Sequence, residues 1–325
     1  DRNEVASLVD APNAEIISLK STKINSAKKV YYNSNDIDEK NSNFDWSIFP
    51  YYRLHLFDPN KPLYYDLGPR IRTSIIPKPG LVFATSIEKS EFTTFNEIVR
   101  GPKGSLPHVR TNLRKYLNVL DERIEYLTLG SYFKFKDNLY GRITAGYLEP
   151  MFAGISSEIL FSPINKSYAF GAEINTVKAR EFRQLFGFRE IIGMPKVNGH
   201  LSGYFDTGFY YYKSQFDVGK YLAGDIGATL KLSRNFPNGW KVGGFFTLTD
   251  ASFQDFGEGS FDKGIFMTIP FNSVLPYETN GSVSETIKPI QGDGGAKLTV
   301  NDRLYELVND KSLISLKSNW ARIWR

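Results

Sequence analysis

From about residue 45 onward the chain runs in short segments that alternate apolar with polar residues, the period of two that marks strands with two chemically different faces. Within 124–135, Leu127, Leu129, Phe133 and Phe135 share one face, joined by Glu125 only at the strand's edge, while Thr128, Gly130 and Lys134 take the other. The pattern repeats. Ile143, Ala145 and Tyr147 oppose Arg142, Thr144 and Gly146; Tyr168, Phe170, Ala172 and Ile174 oppose Ala169, Gly171, Glu173 and Asn175. Further on, Ile226, Ala228, Leu230 and Leu232 oppose Gly227, Thr229 and Lys231, and Val242, Phe246 and Leu248 oppose Gly243, Thr247 and Thr249. One face is greasy and the other small and polar. Helical signal is confined to two short pieces, 94–99 and 301–308, the latter with Asn301 as N-cap.

Composition agrees with an all-β chain. Phe, Tyr and Trp make up 15% of 325 residues and Gly contributes 27, a mixture suited to pleated surfaces with bends and close backbone approaches. Turn residues separate the runs at Asp137-Asn138, Asn165-Lys166, Pro237-Asn238-Gly239 and Asp262-Lys263-Gly264. Two architectures accept such strands: a soluble sandwich or barrel with the apolar face inside, or a membrane barrel with that face outside. Aromatic clusters at segment ends, Tyr51-Tyr52, Tyr64-Tyr65, Tyr210-Tyr211-Tyr212 and Trp240, have the pattern of a girdle. A membrane helix is excluded on hydropathy, because the longest charge-free stretch, Gly264 to Tyr277, is too short and holds Pro270 and Pro276.

The 40 Lys+Arg and 35 Asp+Glu leave a net charge of +5 with both signs interleaved, which speaks against a nucleic-acid surface. The absence of Cys removes disulfides, Cys-based zinc sites and thiol nucleophiles together. His55, His108 and His200 are too far apart to pair as metal ligands on one helix face, so no cofactor is expected. Asp206-Thr207-Gly208 matches the short aspartic-protease signature but has no second copy and reads better as a strand-end turn. Gly292 to Lys297 lacks the Gly-Lys-Ser/Thr ending of a phosphate loop and is expected to be a hairpin or flexible loop. Glu149 with Glu158, or Glu258 with Asp262, could be paired as glycosidase carboxylates, yet a structural or electrostatic role is the expectation, and no catalytic residue is assigned. The stretch 256–264, with Gly257, Glu258, Gly259, Asp262 and Lys263, reads as a tight turn or, functionally, as a constriction or docking loop.

Several segments in order carry a resemblance: Leu106-Pro107-His108-Val109-Arg110-Thr111, Tyr147-Leu148-Glu149-Pro150-Met151-Phe152-Ala153-Gly154 with Glu158-Ile159-Leu160, and Phe186-Gly187-Phe188-Arg189. They continue through Tyr204-Phe205-Asp206-Thr207-Gly208 and Gly219-Lys220-Tyr221-Leu222-Ala223-Gly224-Asp225 to the 256–264 stretch. From about Leu106 onward the chain resembles the C-terminal part of the YjbH/GfcD family of Gram-negative exopolysaccharide and capsule proteins. That resemblance implies an outer-membrane β-barrel, usually a lipoprotein, linked to polysaccharide production or export and without established catalytic activity. The expectation is therefore an antiparallel transmembrane β-barrel of about 12 strands in the bacterial outer membrane. A polar arm at 1–45, the barrel at 46–280, and strands with a short helix at 281–325 that close or plug it complete the layout. Sugar contacts are expected from Arg142, Glu149, Glu173, Tyr204 and Lys231 and from the Tyr210 cluster. Partners would be outer-membrane lipids, polysaccharide and other secretion-system proteins, with no nucleic acid. The alternative is a soluble β protein that binds or hydrolyses a glycan.

Overall fold

The computed structural model describes residues 44–56, 61–98, 104–164, 166–183, 186–236, 238–256, 261–270, 282–288 and 292–310. All belong to one compact unit, Asn43–Arg325. The expected N-terminal arm lies outside the described residues apart from its last two, and so do Gly257, Glu258 and Gly259.

The alternating segments become strands: β1 (Phe44–Leu56), β2 (Leu63–Lys78), β3 (Leu81–Lys89), β4 (Phe92–Thr93), β5 (Glu122–Lys136), β6 (Leu139–Tyr147), β7 (Phe152–Phe161) and β8 (Tyr168–Arg180). They continue as β9 (Phe188–Arg189), β10 (Val197–Asp206), β11 (Tyr212–Lys220), β12 (Ile226–Asn235), β13 (Lys241–Thr249), β14 (Asp262–Pro270) and β15 (Ser282–Ile287). Among the described residues the short helices are α1 (Leu113–Leu117), α2 (Phe253–Phe256) and α3 (Leu304–Asp310), and the helical piece expected at 94–99 is a single 3-10 turn, Phe95–Glu97. Every pairing is antiparallel and follows chain order, so that thirteen strands form a nearly closed barrel, with β4 and β9 attached beside β2 and β8. The thirteenth strand, one more than expected, is β15, which lies past residue 280.

Odd strand number has a geometric consequence. Phe44 starts at the rim that also carries the 137–138, 207–211 and 238–240 turns, and Ile287 ends at the opposite rim, beside the 148–151 and 221–225 turns. The described segment 292–310 begins beside that second rim and lies within the barrel.

The greasy parity faces out. Ile48, Ile71, Leu129, Ile143, Ile174, Leu201, Leu232, Ile265 and Ile287, on nine different strands, are all exposed by 43–67%. Their neighbours Thr128, Arg142, Thr144, Glu173, Asn175 and Ser202 are buried on the inner side. Every strand of the wall except β15 is at least nine residues long, close to the ~9–11 a tilted strand needs to cross hydrocarbon. A large contiguous apolar band is rare on soluble proteins, whose biggest patch is roughly 300–600 Å².

Several local expectations change. Asp262-Lys263-Gly264, expected as a turn, is instead the start of β14, paired with Thr247, Phe246 and Phe245, and α2 lies between β13 and β14. Tyr51 and Tyr64 do not join a girdle. They point inward and are 3% and 2% exposed, because their parity on β1 and β2 is the polar one. Tyr210, Tyr211 and Tyr212 do stand exposed at the first rim. Glu125 is carried to the inner side by a register shift beside Ser86, where its carboxylate accepts the Ser86 hydroxyl at 2.6 Å. Asp137-Asn138 and Asn238-Gly239 are turns as expected, with Asn138 and Gly239 at positive φ. Asp206-Thr207-Gly208 is a strand-end turn in which the Gly208 amide donates to the Asp206 side chain at 3.0 Å.

Gly146 on β6 sits at φ +128, and a Cβ there would meet the Leu127 carbonyl oxygen at 2.2 Å. Gly146→Val should therefore lower unfolding free energy by about 1–3 kcal/mol. Denaturant titration checks this, with Ala145→Val, on the outward side of the same strand, expected to unfold like the parent.

Candidate functional site

Polar inner faces of thirteen strands would enclose an open lumen if nothing entered it. Here the segment 292–310 does. Each of its contacts pairs a group from the wall or rim with one from the segment, and they follow the segment from the second rim toward the first.

At the second rim Asp293 accepts hydrogen bonds from the backbone amides of Arg110 and Thr111 at 2.7 and 3.0 Å and from the Thr111 hydroxyl at 2.7 Å. The Gly292–Lys297 stretch is thus a pinned anchor rather than a flexible loop, because its carboxylate is 3% exposed and needs those donors. The Gly295 amide donates to Asp225 at 2.7 Å, and the Leu222 amide to the Ala296 carbonyl at 3.0 Å. Burial pushes the Asp225 carboxyl above its usual range against the pull of that amide, and burial likewise raises the Tyr221 phenol to about 12. Between these ties, Ala296, Leu298 and Val300 pack with Val109, Tyr116, Leu148, Met151 and Phe152 into an apolar core that fills this end of the barrel.

Deeper in, the ties become ionic. Lys297 meets Asp217 at 3.0 Å, and Arg110 meets Glu149 at 2.6 Å while Glu149 also accepts the Thr299 amide at 2.9 Å. Arg303 grips Glu173 with two hydrogen bonds of 2.8 and 3.1 Å. Arg142, with no exposed surface, spends its donors on Glu158 at 2.9 Å, Thr144 at 3.0 Å and Ser156 at 3.1 Å, and Glu158 in turn accepts the Leu304 amide at 3.1 Å. Nearer the first rim the Tyr305 ring stacks on Tyr204 at 3.7 Å and 9°, and Lys213 donates to Asn309 at 3.0 Å.

The expected sugar contacts therefore sit as follows. Arg142, Glu149 and Glu173 are bound to internal partners, and Tyr204 has a face covered by Tyr305. Lys231 is different. It lines a cavity of about 580 Å³ between β11–β15 and the crossing segment, together with Lys241, Phe266 and a row of Thr and Ser side chains. Asp262 is buried and paired with Lys288 at 2.8 Å, while Lys263 lies outside with its amine over the Phe261 ring. Among the described residues no cluster of three His, Asp or Glu could hold a metal ion, and no helix is long and apolar enough to cross a membrane.

Strand parity could have put Asp217 in the lumen, since it opposes Phe216 and Val218. Arg303, Lys297 and Asp293 carried no such signal, because they sit on an irregular segment whose neighbours come from more than 60 residues away. A separate buried network, also missed, ties β1 to β5: Asp66 binds Arg53 at 2.9 Å and Arg123 at 2.6 Å, and Arg123 donates to the Tyr51 hydroxyl at 2.6 Å.

An outward apolar wall around a charged, segment-crossed lumen defines a class, the β-barrel with its oily side outside. Within that class the chain belongs to the YjbH family, described as exopolysaccharide biosynthesis protein, whose profile matches residues 1–310. It is 30% identical over 278 residues to an Escherichia coli K12 protein named as an uncharacterized lipoprotein, YjbH. That match covers 84% of this chain and 39% of the relative, so the chain spans about two-fifths of the relative's length.

Removing one partner of a buried ion pair strands the other, a loss of about 3–5 kcal/mol. Arg303→Met should therefore free the 292–310 segment, read as faster amide exchange there with the strand ladders retained. Adding Glu173→Gln to Arg303→Met should recover part of the loss, which a double-mutant cycle measures.

Proposed function

We propose that the chain is an outer-membrane β-barrel that takes part in exopolysaccharide secretion or assembly, as a conduit or scaffold whose polar lumen is crossed by its own C-terminal segment. The observation that carries this reading is the direction of the two faces. Exposed Ile, Leu and Phe run around the wall, while Arg142, Glu158, Glu173 and Asn175 are buried within it. In hydrocarbon that arrangement suits both sets of groups: the ladders pair every wall strand from β2 to β14 on both sides, and the charges meet one another inside. Membership of a family described by exopolysaccharide biosynthesis supplies the cargo class. Outer-membrane lipids and other secretion-system proteins are the partners this reading requires.

The role is a passive one in this proposal. Of the described carboxylates with glycosidase-like potential, Glu149 and Glu158 are each held by an arginine and a backbone amide of the crossing segment and Asp262 is paired with Lys288, an arrangement that supports architecture rather than proton transfer.

Ile174 is 57% exposed on β8. In phospholipid vesicles Ile174→Arg should cost about 2–4 kcal/mol of unfolding free energy if it faces hydrocarbon. On a water-facing surface the same change would stay within about 0.5 kcal/mol, and that result would refute the membrane reading. In planar bilayers the conduit form of the proposal expects a small ion current that rises in Arg303→Met; a chain that inserts yet never conducts, in either form, is a scaffold.

A further inference from the structure

The cavity beside the crossing segment has an unbalanced lining. Six cations face it, Arg110, Lys231, Lys241, Lys288, Lys297 and Arg303, against three carboxylates, Asp217, Asp262 and Glu306. Four of the cations are already committed, Arg110 to Glu149, Lys288 to Asp262, Lys297 to Asp217 and Arg303 to Glu173. Among the described residues Lys231 and Lys241 make no ion pair, and Glu306 is the one uncommitted carboxylate set against both.

The placement of these two lysines is built into three adjacent strands. Lys231 on β12, Lys241 on β13 and Phe266 on β14 all take the inward parity, and both ammonium groups lie over the Phe266 ring, at 4.4 and 6.0 Å. The ring can lie there only because its neighbour across the ladder is Gly243, where a Cβ would come within 2.3 Å of it. Two like charges held on one ring repel each other, and a half-buried ammonium without an anion is costly to keep. An aromatic face offsets part of that cost but does not neutralise either charge. Around them Thr247, Thr268, Ser284 and Thr286 line the cavity with hydroxyls; Thr247 meets Thr229 at 2.7 Å and Thr268 meets Ser284 at 2.9 Å, and each of the four keeps capacity for a further bond to a sugar hydroxyl group. The volume of about 580 Å³ falls within the ~300–1,000 Å³ usual for ligand sites.

We propose that this cavity is a binding site for an acidic saccharide, whose carboxylates are taken by Lys231 and Lys241 and whose hydroxyls meet the threonine and serine rows. The inference rests on the polysaccharide reading above and narrows it to anionic sugar chains.

The test titrates the chain in detergent micelles with oligogalacturonate and with a maltooligosaccharide of equal length, by calorimetry. The acidic probe should bind at least about tenfold more tightly than the neutral one, and Lys231→Gln with Lys241→Gln should abolish that tenfold advantage. Arginine at both positions should keep it, which shows that the folded cavity tolerates change there. Lys220→Gln with Lys263→Gln, the same charge removed from outside the cavity, should leave it unchanged. Equal affinity for the two probes, or an acidic preference that survives the double glutamine variant, overturns the proposal. A chain that conducts in bilayers without preferring the acidic probe overturns this inference and leaves the conduit standing, whereas one that prefers it without conducting does the reverse.

Discussion

The Arg303–Glu173 contact, two hydrogen bonds of 2.8 and 3.1 Å inside a barrel, is the interaction on which the arrangement of the lumen depends. Glu173 also faces Arg142, which has no exposed surface and holds Glu158, and Glu158 receives the amide of Leu304. The wall thus presents buried charges, and the crossing segment supplies the counter-charges and amides that make their burial tolerable. Buried ion pairs of this kind add little net stability over a well-packed apolar equivalent, but losing half of one is severe. Their effect is to define one path for the segment, since a shift by a residue would leave several carboxylates and guanidinium groups unpaired at once.

That path divides the interior into two regions of different chemistry. Near the second rim Leu298 and Val300 join Val109, Leu148 and Phe152 in a conventional apolar core, which the wall itself lacks because its apolar face points away. Toward β12–β14 the segment does not fill the space, and the remaining cavity is lined by lysines and hydroxyls. The segment thus fills one side of the lumen and leaves a polar cavity on the other.

Much of the wall was legible from residue order. Alternation at 168–175 put Ile174 on one face and Glu173 and Asn175 on the other, and the strand keeps that division residue for residue. The reading weakened where parity breaks. Glu125 sits at a register shift, so counting in twos misplaces it, and Tyr51 and Tyr64 look like rim aromatics until their strands are seen to turn them inward. Asp262-Lys263-Gly264 has turn composition yet begins a strand, because its residues pair with Thr247, Phe246 and Phe245 of β13.

Residue order alone determined that the chain forms two-faced strands, and which face is greasy, because a period of two is a local property that backbone geometry converts directly into sides of a sheet. It also determined the absence of thiol chemistry and of any helix able to cross a bilayer. Only the tertiary structure decided that the greasy side is the outer one, that thirteen strands make the wall, and that 292–310 lies within it. Those outcomes depend on closure and on partners such as Asp217 with Lys297 and Glu173 with Arg303, which lie 80 or more positions apart and meet only once the barrel has formed. The same holds for Lys231 and Lys241: sequence places each on a polar face, but their shared cavity and their lack of a counter-ion among the described residues are properties of the assembled lumen.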